Sequence, residues 1–105
     1  MPKLVFDTSV LVAGLRSKRG ASYQLLRLID ARLFRLYISV AHLAPFVPRQ
    51  RPSLRDPDDE RILEVAVQCG ATIVTHNLRD FKGAEQFGVL VKTPAEILRI
   101  LRRSV

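Results

Sequence analysis

Short runs of apolar, β-favouring residues alternate with longer segments of helical character along this chain, and this alternation limits the possible folds more than any other feature. The runs Lys3–Phe6 and Ala71–Thr75 are typical of strands, because both are mostly apolar and both are followed by polar residues. The segments Leu33–Ser39 and Val89–Val91 predict two more strands. Because helical segments separate the strands, the order favours a mainly parallel sheet covered by helices.

The helices are indicated by their ends as well as by their apolar periodicity. The apolar stretch Val10–Leu15 and the leucine-rich residues 21–31 predict two helices after the first strand. Asp56-Pro57 predicts the start of a third helix, since proline is favoured at the first helical position, and Gly70 predicts its end. The segment Thr93-Pro94-Ala95-Glu96 is a capping box that predicts the start of the last helix.

The 105 residues fit one domain, residues 1–105, and we expect a three-layer α/β/α sandwich. No apolar run approaches the roughly 20 residues of a membrane span, and the first residues lack the pattern of a signal peptide. Cys69 is the only cysteine, so an internal disulfide framework is excluded. These features predict a cytoplasmic protein without a membrane partner.

The charge of the chain is strongly uneven. Residues 1–55 carry ten basic residues against Asp7 and Asp30, a net charge of +8, whereas residues 56–105 carry seven basic and eight acidic residues, a net charge of −1. Thirteen of the 17 basic residues are arginine, whose planar guanidinium suits phosphate, so the charge predicts contact with a nucleic acid. The simpler reading is a solvated surface in an arginine-rich protein. The candidate nucleic-acid-binding residues are Arg16, Lys18, Arg19, Arg49 and Arg51.

Acidic and amide side chains follow the predicted strands at the places where a parallel α/β sheet binds its ligands. Asp7 follows the first strand, Asn77 and Asp80 follow the third, and Asp59 lies in the first turn of the helix that leads into the third strand. Oxygen ligands without His or Cys suit Mg²⁺ or Mn²⁺. A metal-binding acidic site in a basic protein is typical of phosphodiester hydrolysis, with Asp7, Asp59 and Asp80 as the candidate catalytic residues.

Each of these acids also has a simpler structural reading. Asp7 and Asp56 could cap helices, and Asp59 could complement a helix dipole. Asn77 and Asp80 could be ordinary turn residues. Three further residues lack the spacing of a ligand or nucleophile set and are read as incidental or as core: His42, His76 and Cys69.

Four segments of the chain resemble the PIN-domain ribonucleases, in particular the toxin components of bacterial and archaeal toxin–antitoxin pairs. They are V-F-D-T-S-V-L-V-A-G-L at 5–15, L-R-D-P-D-D-E-R-I-L-E-V-A at 54–66, A-T-I-V-T-H-N-L-R-D-F at 71–81 and V-L-V-K-T-P-A-E-I-L at 89–98. The resemblance implies a Mg²⁺-dependent (or Mn²⁺-dependent) endoribonuclease. Its implied partners are RNA, a cognate antitoxin and, in some members, a second copy of the chain.

Within this resemblance, Asp7 matches the first metal-binding acid of the family and Asp59 matches the later acid. Asn77 and Asp80 match the polar positions after the third strand, so the implied metal ligands are these two residues together with Asp7 and Asp59. The supporting residues that the resemblance implies are Thr8 or Ser9 beside the first acid and Thr75 at the end of the third strand.

The sequence departs from the family pattern in its middle. The family carries a Glu on a helix soon after the second strand, but Pro45 stands at that place, and a few dozen residues of helical hairpin are missing before Arg51. An active ribonuclease is therefore one interpretation. A catalytically impaired, truncated PIN domain that binds RNA or an antitoxin without cleaving is the alternative. A third is an α/β interaction module whose acids only cap helices.

Overall fold

Residues 1–37 and 57–103 are described by the computed structural model, with the side chains of residues 57 and 58 excluded. The predictions that concern Pro45, Arg49, Arg51 and Asp56 lie outside the described residues, as does the reading of His42. The two described stretches contain all the predicted strands except the last residues of the second.

The described residues form four strands and four α-helices. The strands are β1 (Lys3–Phe6), β2 (Arg35–Tyr37), β3 (Thr72–Val74) and β4 (Val91–Lys92). The helices are α1 (Thr8–Arg16), α2 (Ala21–Arg27), α3 (Pro57–Cys69) and α4 (Pro94–Arg103). Short 3₁₀ turns cover Ile29–Ala31, Leu78–Phe81 and Ala84–Phe87.

The four strands form one sheet in the order β2-β1-β3-β4, and every pair is parallel. This confirms the predicted parallel α/β architecture, and β1 and β3 are neighbours. Val5 pairs with Ile73 and Phe6 with Val74. The chain moves outward from β1 in one direction to β2 and in the other to β3, so the topological switch point lies between β1 and β3.

Hydrophobic cores cover both faces of the sheet, because alternate strand residues point to opposite sides. Leu4 and Phe6 belong to a cluster that includes residues of α2 and α4. Val5 and Ile73 belong to a second cluster, which includes the buried face of α3. This arrangement is compatible with a three-layer sandwich. No helix in the described ranges is long and apolar enough to cross a lipid bilayer.

Several predicted elements end or begin elsewhere in the structure, and the second strand, predicted from Leu33, begins at Arg35. The fourth strand begins at Val91 and not at Val89, because the Val89 N–H donates to the Ala84 carbonyl (3.3 Å) and closes the preceding turn. The second helix ends at Arg27 and continues only as a 3₁₀ turn up to Ala31. By contrast, the predicted end of the third helix is confirmed: Gly70 follows α3 with a φ of +68°, a conformation that glycine adopts readily.

The predicted capping box at the start of α4 is also confirmed. The Glu96 N–H donates to Thr93 Oγ1 (3.2 Å), and Glu96 Oε1 accepts from the Thr93 N–H (3.0 Å) and from its hydroxyl (3.1 Å). The backbone hydrogen bond from Thr93 holds the pKa of Glu96 below its usual 4.5, with smaller help from the Thr93 hydroxyl and from Lys92 and Arg99, against the opposing effect of burial.

A pH-dependent contribution to stability follows from this capping box. A carboxyl whose pKa is lowered on folding stabilises the folded state above its unfolded pKa, and it loses that contribution as the pH falls through the folded pKa. We expect Glu96→Gln to lower the free energy of unfolding at neutral pH by about 0.5–1 kcal/mol. The difference from the parent protein should shrink as the pH falls below 4.5. Urea unfolding measured from neutral pH to below pH 4.5 tests this expectation, and Glu85→Gln, which changes an exposed acid, is the control. A difference that stays constant with pH would contradict this account.

Candidate functional site

The pairing of β1 with β3 brings Asp7 and Thr75 together at the carboxyl edge of the sheet. Each residue comes directly after a strand, and the Asp7 N–H still donates to the Val74 carbonyl (3.0 Å), which continues the parallel ladder by one residue. By strand alternation, Asp7 shares a face of the sheet with Val5 and Thr75 shares it with Ile73. This is the face that α3 covers.

The Asp7 carboxylate is buried and is held by two hydroxyl groups. Thr75 donates to Asp7 Oδ2 (2.7 Å) and Ser9 donates to the same oxygen (2.9 Å), while only 6% of Asp7 is exposed. Hydrogen bonds to a charged acceptor are shorter and stronger than those between neutral groups, so they offset part of the cost of burying the carboxylate. Asp7 is the N-cap residue of α1, but its side chain makes no capping hydrogen bond. Contrary to the simpler reading, the Asp7 carboxylate therefore does not cap the helix, and it binds the hydroxyls of Ser9 and Thr75.

Backbone groups orient both hydroxyls toward Asp7. The Asn77 N–H donates to Thr75 Oγ1 (3.0 Å), and the His76 N–H donates to Ser9 Oγ (3.2 Å). A hydroxyl has a single proton to donate, and in both residues that proton goes to Asp7 while the lone pairs receive the backbone N–H. The carboxylate is thus fixed by a connected network, which we call the Asp7 network: Asp7, Ser9, Thr75 and the backbone of residues 76 and 77. Ser9, not the exposed Thr8, is the hydroxyl beside the acid.

A second polar contact joins this network to α2. Ser22, which is 2% exposed, lies within 2.6 Å of His76, measured from Oγ to Nε2. The two residues are 54 positions apart, and the contact depends on how α2 packs against the sheet. The spacing of polar residues therefore contains no signal that would have found it. Both residues are additions to the site.

The first turn of α3 lies toward the same edge of the sheet. The helix ends at Cys69, just before β3, so it runs antiparallel to the strands and begins near their carboxyl ends. Its 13 residues span about 20 Å, compared with about 10 Å for a three-residue strand, so the first turn reaches the carboxyl edge. Asp59 is half-buried and Glu60 is buried, and both make polar or electrostatic contacts.

The residues that follow β3 form an exposed rim. Asn77 and Asp80 are exposed, and the Asp80 N–H donates to the Asn77 carbonyl (3.0 Å) as the chain turns. Their backbone geometry is that of turn residues, which the simpler reading predicts. In residues 1–37 and 59–103, no three His, Cys, Asp or Glu side chains are grouped closely enough to hold a metal ion. The structure thus brings Asp7 together with Ser9 and Thr75. Asp59 lies in the first turn of α3, whereas Asn77 and Asp80 lie on the exposed rim after β3, and the three acids do not form one cluster.

Three basic residues lie at the end of α1 and in the turn that follows it. Arg16 ends α1, and Lys18 and Arg19 occupy the exposed turn between α1 and α2. Since the second residue of α2 contacts His76, α2 begins at the carboxyl edge, and the turn that leads into it ends there.

A separate cavity of about 550 Å³ lies between α2 and α4. Its lining combines apolar side chains such as Leu98 and Leu101 with Arg27 and Arg102, and Arg102 Nη2 donates to the Gln24 side chain (2.8 Å). None of the lining residues belongs to the Asp7 network. The cavity is therefore not part of the candidate site.

Comparisons of the chain with protein-family models, with curated proteins and with solved structures find no match. The fold and the site describe a parallel α/β protein with a buried carboxylate, bound by two hydroxyl groups, at the switch point of its sheet.

The Thr75 hydroxyl should contribute measurably to stability. Thr75→Val keeps the shape of a fully buried side chain but removes a hydrogen bond to a charged group and the acceptor for the Asn77 N–H. We expect the free energy of unfolding to fall by about 1.5–3 kcal/mol. Urea denaturation measures this, and Thr72→Val on the same strand serves as the matched control, with an expected change below about 0.5 kcal/mol. Equal effects of the two substitutions would show that the bond to Asp7 contributes nothing specific.

Proposed function

We propose that this chain is a Mg²⁺-dependent endoribonuclease of the PIN type, with its active site at Asp7. The observation that supports the proposal most directly is the buried Asp7 carboxylate, fixed by Thr75 and Ser9 at the switch point of a parallel sheet. In such sheets the switch point is where ligands bind. The excess of basic residues in the first half of the chain supplies the complement for a polyanionic substrate.

The residues around Asp7 fit a hard divalent cation. The candidate ligands Asp7, Asp59, Asn77 and Asp80 offer only oxygen atoms, which Mg²⁺ and Mn²⁺ prefer. Magnesium is commonly held by one or two carboxylates, with water and substrate phosphate completing the shell, so a three-acid cluster is not required. When bound, such an ion supplies neutralisation of phosphate charge and a more acidic bound water.

The chain's own residues perform the remaining tasks in this proposal. Thr75 and Ser9 hold Asp7 in one orientation, so that its carboxylate needs no rearrangement when substrate arrives. Arg16, Lys18 and Arg19 bind RNA phosphates and raise the local concentration of substrate near the carboxyl edge. Arg49 and Arg51 have the same proposed role.

The finer assignment rests on the resemblance of four segments to PIN-domain toxins. We infer a single PIN-like domain over residues 1–105 in the form of an α/β/α sandwich that lacks part of the family's central helical region. The chain would then be the toxin component of a toxin–antitoxin pair in the cytoplasm, with a cognate antitoxin as protein partner and a homodimer as a further assembly. The parallel sheet and the position of Asp7 after β1 support this assignment.

A second candidate function is RNA or antitoxin binding without cleavage. Two observations favour it: the three acids are not joined into a cluster among the described residues, and Pro45 occupies the place of the family's helix Glu. A proline side chain offers no oxygen ligand, so a metal would be held by fewer carboxylates and positioned less rigidly for in-line attack.

Metal-dependent cleavage by Asp7 separates the two candidates. We expect a fluorescent RNA to be cleaved with Mg²⁺ or Mn²⁺ but not with EDTA, and Asp7→Asn to lower the rate by roughly 100-fold or more, because it removes the central charged ligand. Asp30→Asn makes the same charge change at an exposed turn and should retain the parent rate. Equal cleavage by Asp7→Asn in EDTA would refute the proposed chemistry. RNA binding by the parent protein without any cleavage would instead support the second candidate.

The exposed turn that carries Lys18 and Arg19, which we call the basic turn, should contribute most to RNA binding whether or not cleavage occurs. Replacing Lys18 and Arg19 by Gln removes two proposed phosphate contacts, so we expect weaker binding. The slope of log K against log salt concentration should become shallower by about 1.4, since each phosphate contact on a single strand contributes roughly 0.7. Replacing Lys3 and Arg35 by Gln removes the same charge at the opposite edge of the sheet, where these two residues pair. Fluorescence anisotropy compares the two variants. Identical salt slopes would contradict the proposed RNA path.

A further inference from the structure

The imidazole of His76 lies beside the Asp7 network in a defined orientation. His76 directly follows Thr75, and its backbone N–H donates to Ser9 Oγ (3.2 Å), the hydroxyl that donates to Asp7. The position of the His76 backbone is thus tied to that of the carboxylate. By strand alternation, its side chain leaves the sheet on the opposite face from Thr75, toward α2.

The His76 ring is anchored at one nitrogen, and the residue as a whole is exposed. Nε2 lies 2.6 Å from the hydroxyl of Ser22, which is buried in α2, whereas His76 as a whole is exposed. An imidazole held at Nε2 keeps Nδ1 for a second partner. If Ser22 donates to Nε2, the neutral ring carries its proton on Nδ1 and offers an N–H group to a ligand.

The contact links α2 to the end of β3, and the exposure of His76 also lets this residue reach a ligand. Ser22 contacts a side chain 54 residues away, which is next in sequence to Thr75 of the Asp7 network. The ligand chemistry that fits an oriented N–H donor in a strongly basic protein is a phosphate oxygen.

We propose that His76 binds a phosphate group of RNA next to the Asp7 site, and that Ser22 is a positioning residue that orients the His76 ring. The inference rests on the proposed function for the identity of the ligand. It goes beyond that function in assigning a phosphate subsite on the α2 side of the carboxyl edge, away from the α3 side where the candidate metal ligands lie.

The test uses the full chain carrying Asp7→Asn, without divalent metal, and a fluorescent single-stranded RNA. In this background His76→Gln should weaken binding about fivefold to tenfold, the loss expected for one hydrogen bond to phosphate. Ser22→Ala should weaken binding about twofold to fivefold, since the ring keeps its N–H but loses its orientation. Thr72→Val should bind as the background protein does. Thermal unfolding of each variant establishes that it is folded. If His76→Gln does not fold, Ser22→Ala still tests the inference, because it leaves the histidine in place.

A set of oligonucleotides, each with one phosphate replaced by a neutral methylphosphonate, identifies the contact. If His76 binds a phosphate, replacing that phosphate should weaken RNA binding by the Asp7→Asn protein. The same replacement should have little further effect on RNA binding once His76→Gln is added, so the two changes are coupled. Additive effects at every position, or unchanged binding by His76→Gln, would overturn the inference even if the parent protein cleaves RNA. Coupling at one position would support it even if no cleavage is ever observed, which would count against the catalytic proposal alone.

Discussion

The parallel pairing of β1 with β3 is the constraint on which the rest of this structure depends. It places Val5 beside Ile73 and Phe6 beside Val74, and so supplies the centre of the hydrophobic core on each face. The same register carries the chain one residue further, to Asp7 and Thr75. A slip of one residue would exchange the two faces of β3, bury polar groups in the core and remove the hydroxyl from the carboxylate. Stability and the site therefore depend on a single register.

Burial of a carboxylate in a small, basic protein requires local compensation. Asp7 obtains it from two hydroxyls that are themselves oriented by backbone N–H groups, so the carboxylate is held by a chain of hydrogen bonds without a basic partner within that network. A salt bridge would have neutralised the charge. Hydroxyl donors leave the negative charge in place, which is the property that a cation-binding site needs. In the proposed function, the excess of basic residues in the first half of the chain attracts a polyanion, while the Asp7 site itself remains acidic.

Much of this arrangement could be predicted from the sequence, because local patterns determine it. The runs that became β1 and β3 carry polar residues at their ends, so the position of Asp7 and Thr75 followed from the rule for parallel sheets. The capping box of α4 and the end of α3 at Gly70 followed from side-chain chemistry confined to a few residues. These features do not depend on how distant parts of the chain pack.

The parts that escaped prediction depend on packing between distant segments. Whether Thr8 or Ser9 faces Asp7 is decided by the direction in which α1 leaves the strand, which no local pattern records. The contact of Ser22 with His76 requires the position of α2 on the sheet, and the late start of β4 reflects a turn that uses the Val89 N–H first. Asp59 was predicted in the first turn of the helix that leads into β3, but its degree of burial was not predicted. The structure places it half-buried in the first turn of α3, with Glu60 more buried beside it.

The most direct test of the central claim, that Asp7 is the centre of a cation site at the switch point, is paramagnetic line broadening by Mn²⁺ in ¹⁵N-labelled protein. Broadening at low Mn²⁺ should concentrate on the backbone amides around Asp7, Ser9, Thr75 and Asn77, and Asp7→Asn should remove it while Asp30→Asn leaves it unchanged. Broadening that persists in Asp7→Asn, or that centres on acids elsewhere in the chain, would contradict the account.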